Sequence, residues 1–175
     1  MSADFATLLQ GCRRGQRASQ RALYDAFAPM VMGVCMRYAT SRDEAQDWLQ
    51  DSFIKVFEQM GQVRDPERLP AWVRRVTVNT CLHHLRRNRM FPTDRLDDSN
   101  CHDAVAAPLD PFATQQVVTA LQQLPPAQRT VFNLVEVEGY SHSETAAELH
   151  CTEVNVRALL SRAKKTLREI LSNEI

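Results

Sequence analysis

Three groups of side chains in this 175-residue sequence have types and spacings that could do chemistry. The densest is TEVNVRALLSRAKKTLR, residues 152–168. From 154 to 168 it carries Arg157, Arg162, Lys164, Lys165 and Arg168 and no acid. On a helix, guanidinium forks at Arg157 and Arg162 can pair bidentately with guanine, and the amide of Asn155 can pair with adenine. The hydroxyls of Thr152 and Ser161 and the ammonium of Lys165 can reach base edges or phosphates. The other reading of so short a basic run is a solvated helix face. The second group is Trp72, Arg75, Asn79 and Arg86, whose steps of three, four and seven put an aromatic, an amide and two guanidinium groups on one helical stripe, with Arg87 beside them. The third is the set of Cys/His neighbours: Cys81 with His84, Cys101 with His102, and His150 with Cys151. Adjacent pairs rarely point at one metal, and no fourth ligand stands at a suitable spacing. The five cysteines are an odd number and form no CxxC pair, so neither a disulfide framework nor a zinc knuckle is expected. No metal and no other cofactor is expected. No nucleophile–base arrangement appears, and helix faces account for the carboxylates, so an enzyme is not expected either.

The elements that must position these groups are helices. Residues 18–40 repeat Leu23, Phe27, Met30, Val34 and Tyr38 at helical steps, with Pro29 as a place for a kink or break. Residues 43–60 form a second helix with Ala45, Leu49, Phe53, Val56 and Met60 inward, and with Asp43, Glu44, Asp47 and Asp51 crowding its first half. GQVRDPERLP, residues 61–70, reads as a loop, and Pro70 suits the start of a third helix over about 71–87. Periodicity then stops. Residues 91–113 hold three prolines and five aspartates against one arginine, and read as an extended acidic linker. Beyond it, helices are expected at about 114–123 and 127–138, the latter ended by Gly139 in the left-handed conformation.

The segment 139–171 has its own punctuation. Ser141 and Glu144 have the spacing of a capping box. A short helix over 142–149 follows, with Thr145, Ala146 and Leu149 inward. His150-Cys151 make a turn, and Thr152 suits the N-cap of a last helix with a stripe of Val156, Leu160, Ala163 and Leu167. Two short helices, a tight turn and a basic second helix describe a helix-turn-helix, whose second helix enters the DNA major groove. The pattern also fits an ordinary helical hairpin. His150 stands where glycine is common, and histidine tolerates the left-handed region better than most residues.

Composition bounds the rest. Lys and Arg total 21 and so do Asp and Glu, so the formal net charge is zero. The charge is segregated, however: +5 over 1–90, −4 over 91–113, −4 over 129–153 and +5 over 154–168. Such a layout allows a local nucleic-acid contact without a basic whole. No apolar run approaches the roughly 18–20 residues that span a bilayer, and the start lacks a signal-peptide pattern, so a reducing cytoplasm and no direct membrane insertion are expected.

The order of these pieces resembles the extracytoplasmic-function sigma factors, small bacterial members of the sigma-70 family. DEAQDWLQDSFIKVFEQM (43–60) is similar to the segment that grips polymerase, LPAWVRRVTVNTCLHHLRR (69–87) to the region 2 segment that handles the minus-10 promoter element, and 121–171 to region 4. The resemblance implies an all-α chain of two small helical domains, 1–90 and 114–175, joined by the acidic linker. It implies three partners: core RNA polymerase, through its beta-prime clamp and beta flap; promoter DNA; and an anti-sigma factor. By the same resemblance, Asp43, Glu44, Asp47 and Asp51 contact polymerase, unless they only solubilise their helix. The 61–70 loop traps an unstacked base of the minus-10 element, and Trp72, Arg75 and Asn79 lie near the opened DNA, where an aromatic can stack on bases. For Trp72, core packing is the other reading. Arg86 and Arg87 fall near phosphates. Arg157, Ala158, Ser161 and Arg162 match the positions that face the minus-35 major groove, Thr152 and Asn155 match backbone or base contacts at the helix start, and Lys165 belongs to the same DNA-binding set. The linker, with Asp94, Asp97 and Asp98, corresponds to the connector threaded through polymerase channels. The alternative is a stand-alone helix-turn-helix regulator that binds operator DNA as a dimer.

Overall fold

The computed structural model describes residues 4–87 and 118–173, and all described secondary structure is helical. The chain divides into two compact units, Met1–Cys81 and Leu82–Ile175.

In the first unit, α1 (Phe5–Arg13) precedes α2 (Arg17–Tyr38), α3 (Arg42–Gln59) and α4 (Leu69–Arg87), the last running across the unit boundary. α1 was not foreseen. Asp4 caps it by accepting the Ala6 N–H at 3.2 Å, and Leu9 and Cys12 are buried beneath it. α2 runs through Pro29 without a break. Its buried face is Leu23, Phe27, Val31, Val34 and Tyr38, so the apolar step shifts from the expected Met30 to Val31. α3 packs on α2 with Ala45, Trp48, Leu49, Phe53 and Val56 buried, and Tyr24 lies 4.5 Å from Phe53 between ring centroids. Between α3 and α4 the loop contains two 3-10 turns, Met60–Gln62 and Pro66–Arg68. Pro70 sits in the first turn of α4, where its missing N–H leaves no hydrogen bond unmade. On the inner side of α4, Cys81 Sγ stands 4.0 Å from Cys35 Sγ of α2.

The second unit has α5 (described over 118–122), α6 (Pro126–Phe132), α7 (His142–Glu148) and α8 (Glu153–Asn173). α6 runs on into a π-helical turn, Asn133–Val137, where the Glu138 N–H reaches back five residues to Asn133 O at 2.8 Å. Gly139, at φ +79°, ends it as expected, and the Tyr140 N–H closes on Leu134 O at 2.9 Å. Leu121, Leu124 and Ala163 form a buried cluster flanked by Phe132 and Leu167. Val131, Leu134, Leu149, Val156 and Leu160 are also buried.

Candidate nucleic-acid interface

The turn between α7 and α8 is built by local hydrogen bonds. The Ser141 hydroxyl accepts the Glu144 N–H at 3.2 Å and the Glu144 carboxylate accepts the Ser141 N–H at 2.7 Å, completing the capping box. At the other end of α7, His150 takes φ +51°, and the Cys151 N–H bonds Ala146 O at 2.9 Å, the six-to-one closure of a left-handed helix stop. Thr152 then caps α8 by accepting the Asn155 N–H at 3.2 Å. Ala146 is buried and small, which suits a close helix crossing. Three punctuation marks within twelve residues thus fix the direction in which α8 leaves the turn.

The face that α8 turns outward is polar and basic. Thr152, Asn155, Arg157, Ser161, Arg162, Lys165 and Arg168 are all exposed. They do not form one stripe. Arg157, Ser161, Lys165 and Arg168 line a groove of about 430 Å³ together with His142 of α7. Arg162 lies outside that groove, about 140° round the helix from Arg157 at 100° per residue. Arg157 Nη2 donates to Glu153 Oε2 at 3.1 Å and Lys165 approaches Glu169 at 4.0 Å, both exposed pairs that hold their side chains weakly. Lys164 turns back to Glu136 at 2.7 Å. Two residues of this surface escaped the sequence reading. His142 joins the groove only through the α7–α8 crossing. Val154, 74% exposed in the first turn of α8, offers methyl groups of the kind that contact thymine; its exposure at the helix start was the available signal.

The α4 residues are set deeper. Trp72, Arg75, Asn79 and Arg86 are half-buried and Arg87 is exposed. Their spacing keeps Trp72, Arg75 and Asn79 on one face while Val73, Val76 and Thr80 are buried behind them. Thr77 and Thr80 satisfy their hydroxyls on Val73 O and Val76 O, at 2.9 and 2.8 Å.

On α3, Asp43 and Asp47 are exposed one turn apart, and Asp51 is half-buried a turn further on. Glu44 has a local task as well: its Oε2 accepts the Thr40 N–H at 2.6 Å and the Thr40 hydroxyl at 2.7 Å, while Ser41 Oγ accepts the Glu44 N–H at 3.1 Å. The S-x-x-E spacing of Ser41 and Glu44 carried that signal. Ile54 stands 54% exposed two turns beyond Asp47, which puts an apolar side chain at the far end of this acidic face.

Burial raises the Cys12 and Cys151 thiols above the ordinary cysteine value, the reverse of what a metal-binding or nucleophilic thiolate needs. Among the described residues, no three His, Cys, Asp or Glu side chains are grouped to hold a metal. Asp94, Asp97, Asp98, Cys101 and His102 lie outside the described residues.

A short helix, a left-handed turn and a capped basic helix define a DNA-binding helix-turn-helix protein, here on the end of a second helical unit. Sigma-70 region 2 matches residues 23–90, and Sigma-70, region 4, matches residues 114–167. The ECF RNA polymerase sigma factor SigM of Mycobacterium tuberculosis is 34% identical over 135 residues, covering 75% of this chain and 67% of that protein. The RNA polymerase sigma-H factor of Pseudomonas aeruginosa is 26% identical over 179 residues, 94% of this chain and 92% of its own. The same fold is found in the sigma factor RpoE of Bartonella quintana, solved with the anti-sigma factor NepR, at TM-score 0.50 and 22% identity over 87% of this chain and 96% of that one. The chain belongs to the sigma-70 family, in its extracytoplasmic-function group. It is a transcription initiation factor with core RNA polymerase and promoter DNA as partners, and not a stand-alone regulator. Members of the family are initiation factors rather than enzymes. No helix among the described residues is long and apolar enough to cross a membrane.

Proposed function

We propose the following division of labour. Residues 1–90 dock on core polymerase and capture the minus-10 element, residues 114–175 read the minus-35 element, and 91–113 tether them. Asp43, Asp47 and Asp51 face basic groups of the polymerase clamp, and Glu44 fixes the start of the helix that presents them. Asn155, Arg157, Ser161 and Arg162 meet base edges in the duplex, with Thr152 and Lys165 on the backbone. Trp72, Arg75 and Asn79 receive bases that have left the stack, and Arg86 and Arg87 hold nearby phosphates. Capturing an unstacked base offsets an unstacking cost of roughly a few kcal/mol and shifts the equilibrium toward open DNA. With zero net charge the free chain binds DNA weakly, and polymerase supplies affinity by holding both modules beside the promoter. The chain does no covalent chemistry and works in the cytoplasm. An anti-sigma factor restrains it by covering its polymerase-binding surfaces.

The observation that carries this reading is the exposed face of α8 behind a fully capped left-handed turn. Run-off transcription on genomic fragments, with core polymerase and with or without the chain, tests it. Discrete chain-dependent start sites are expected. A chain that shifts duplex DNA unaided, yet starts no RNA with core enzyme, overturns it.

A further inference from the structure

We propose that α1 braces the loop between α3 and α4, and that Arg13 is the positioning residue through which it acts; the proposal rests on assigning that loop to capture of the minus-10 element. The loop holds itself only by short-range bonds. They include a long one from the Val63 N–H to Met60 O at 3.4 Å, one from the Arg68 N–H to Asp65 O at 3.1 Å, one from the Leu69 N–H to Pro66 O, the Asp65 carboxylate capping the Glu67 N–H at 3.0 Å, and an exposed Arg68–Asp65 pair at 3.7 Å. Arg13 adds the missing restraint. Its Nη2 donates to Val63 O, and its Nε points at Met60 O at 3.5 Å, so one rigid guanidinium spans both carbonyls of the first turn. An arginine carries donors only, in a fixed fork, and so matches two neighbouring carbonyls, of which Met60 O keeps only a long bond from the Val63 N–H at 3.4 Å.

α1 is itself held firmly enough to act as a brace. Phe5 lies 6.0 Å from Phe27 between ring centroids, and Leu9 and Cys12 are buried. Gly11 lets it approach the start of α2: a Cβ there would fall 2.7 Å from Ser19 Cβ. α1 touches both 3-10 turns of the loop. Thr7, Gln10 and Arg13 of α1 and Arg64 and Pro66 of the loop line a cleft of about 360 Å³, so the two elements are incompletely packed and the Arg13 bonds are made at its edge. The region 2 match begins at residue 23, beyond α1. A loop ordered before a base arrives loses less conformational freedom when it closes on one.

The test is transcription by reconstituted holoenzyme from a promoter library randomised at both elements, with transcripts sequenced, for the wild type, Arg13→Gln and Arg13→Lys. Thermal unfolding is recorded for each chain. The expected result is a loss of about tenfold in base preference at the minus-10 element for Arg13→Gln, with minus-35 preference unchanged and part of the loss restored by Arg13→Lys. Gly11→Ala, which displaces α1 without touching the guanidinium, is expected to flatten the same positions. A folded Arg13→Gln chain that keeps its minus-10 preference overturns the proposal. So does an equal loss at both elements, which would mark Arg13 as a residue of the fold alone. A wild-type chain with no minus-10 preference removes the underlying assignment instead, and the brace with it.

Discussion

On α4 the side chains proposed to receive bases, Trp72, Arg75 and Asn79, are half-buried; on α8 the base-reading side chains are exposed. The two surfaces suit two states of the same ligand. A duplex is stiff and arrives with its base edges already in the groove, so long solvated cations can reach in and adjust. A base that has left the stack must be received by a surface already in place, and a half-buried tryptophan over a packed helix has little freedom left to lose. The first unit therefore works by shape and the second by reach.

The largest effect should come from the shape side. Trp72→Ala is expected to cost about 3 kcal/mol of open-complex stability, the upper end for a stacking aromatic, with little change in the salt dependence of promoter binding. Permanganate reactivity of the opened bases, across a salt series, measures both. An unchanged opening would mean that Trp72 only packs, and the contrast between the units would fail. Next comes Arg162→Ala, expected to cost about 2 kcal/mol at one upstream base pair. An even loss across all sequences, with the salt slope reduced by about one, would make it a phosphate contact.

Smaller changes sharpen the picture of how α8 is aimed. Gly139→Ala should destabilise the second unit by roughly 1–2 kcal/mol, because its φ of +79° suits only glycine, although a Cβ would meet nothing within 4 Å. Calorimetry of the full chain should show that unit's transition fall and the other stay. His150→Gly at the second left-handed position should shift the same transition upward by a few tenths of a kcal/mol. Least of all, Glu153→Gln releases Arg157 from its exposed pair, worth about 0.3 kcal/mol. Minus-35 binding should tighten by no more than that in a competition assay.

How much of this was legible in the sequence depended on the range of the interactions. The α7–α8 turn was readable to the residue because its determinants are local: Ser141 with Glu144, Thr152 with Asn155, and the left-handed stop at His150. The all-α class followed from apolar steps of three and four. α1 went unforeseen although Asp4 stood before Phe5, Leu9 and Cys12 at helical steps, because nine residues make a weak periodic signal. The capping of α3 by Glu44 was equally local and was masked by its acidic neighbours. Other features were out of reach. Arg13 meets Met60 and Val63 across some fifty positions, and His142 joins Arg157 only once two helices have crossed. Trp72 fitted both core and surface readings, and a half-buried side chain is what such ambiguity describes.

The π turn at Asn133–Val137 holds a surplus residue within an otherwise regular coil. Removing any one residue there would allow ordinary four-back bonding and cost the backbone little. Because the wider π turn winds five residues through about the angle that four cover in an α-helix, Gly139 and Ser141 would keep nearly their present phase. This stretch should therefore tolerate a single-residue deletion better than the helices around it, giving up one residue of length without re-aiming the DNA-reading helix.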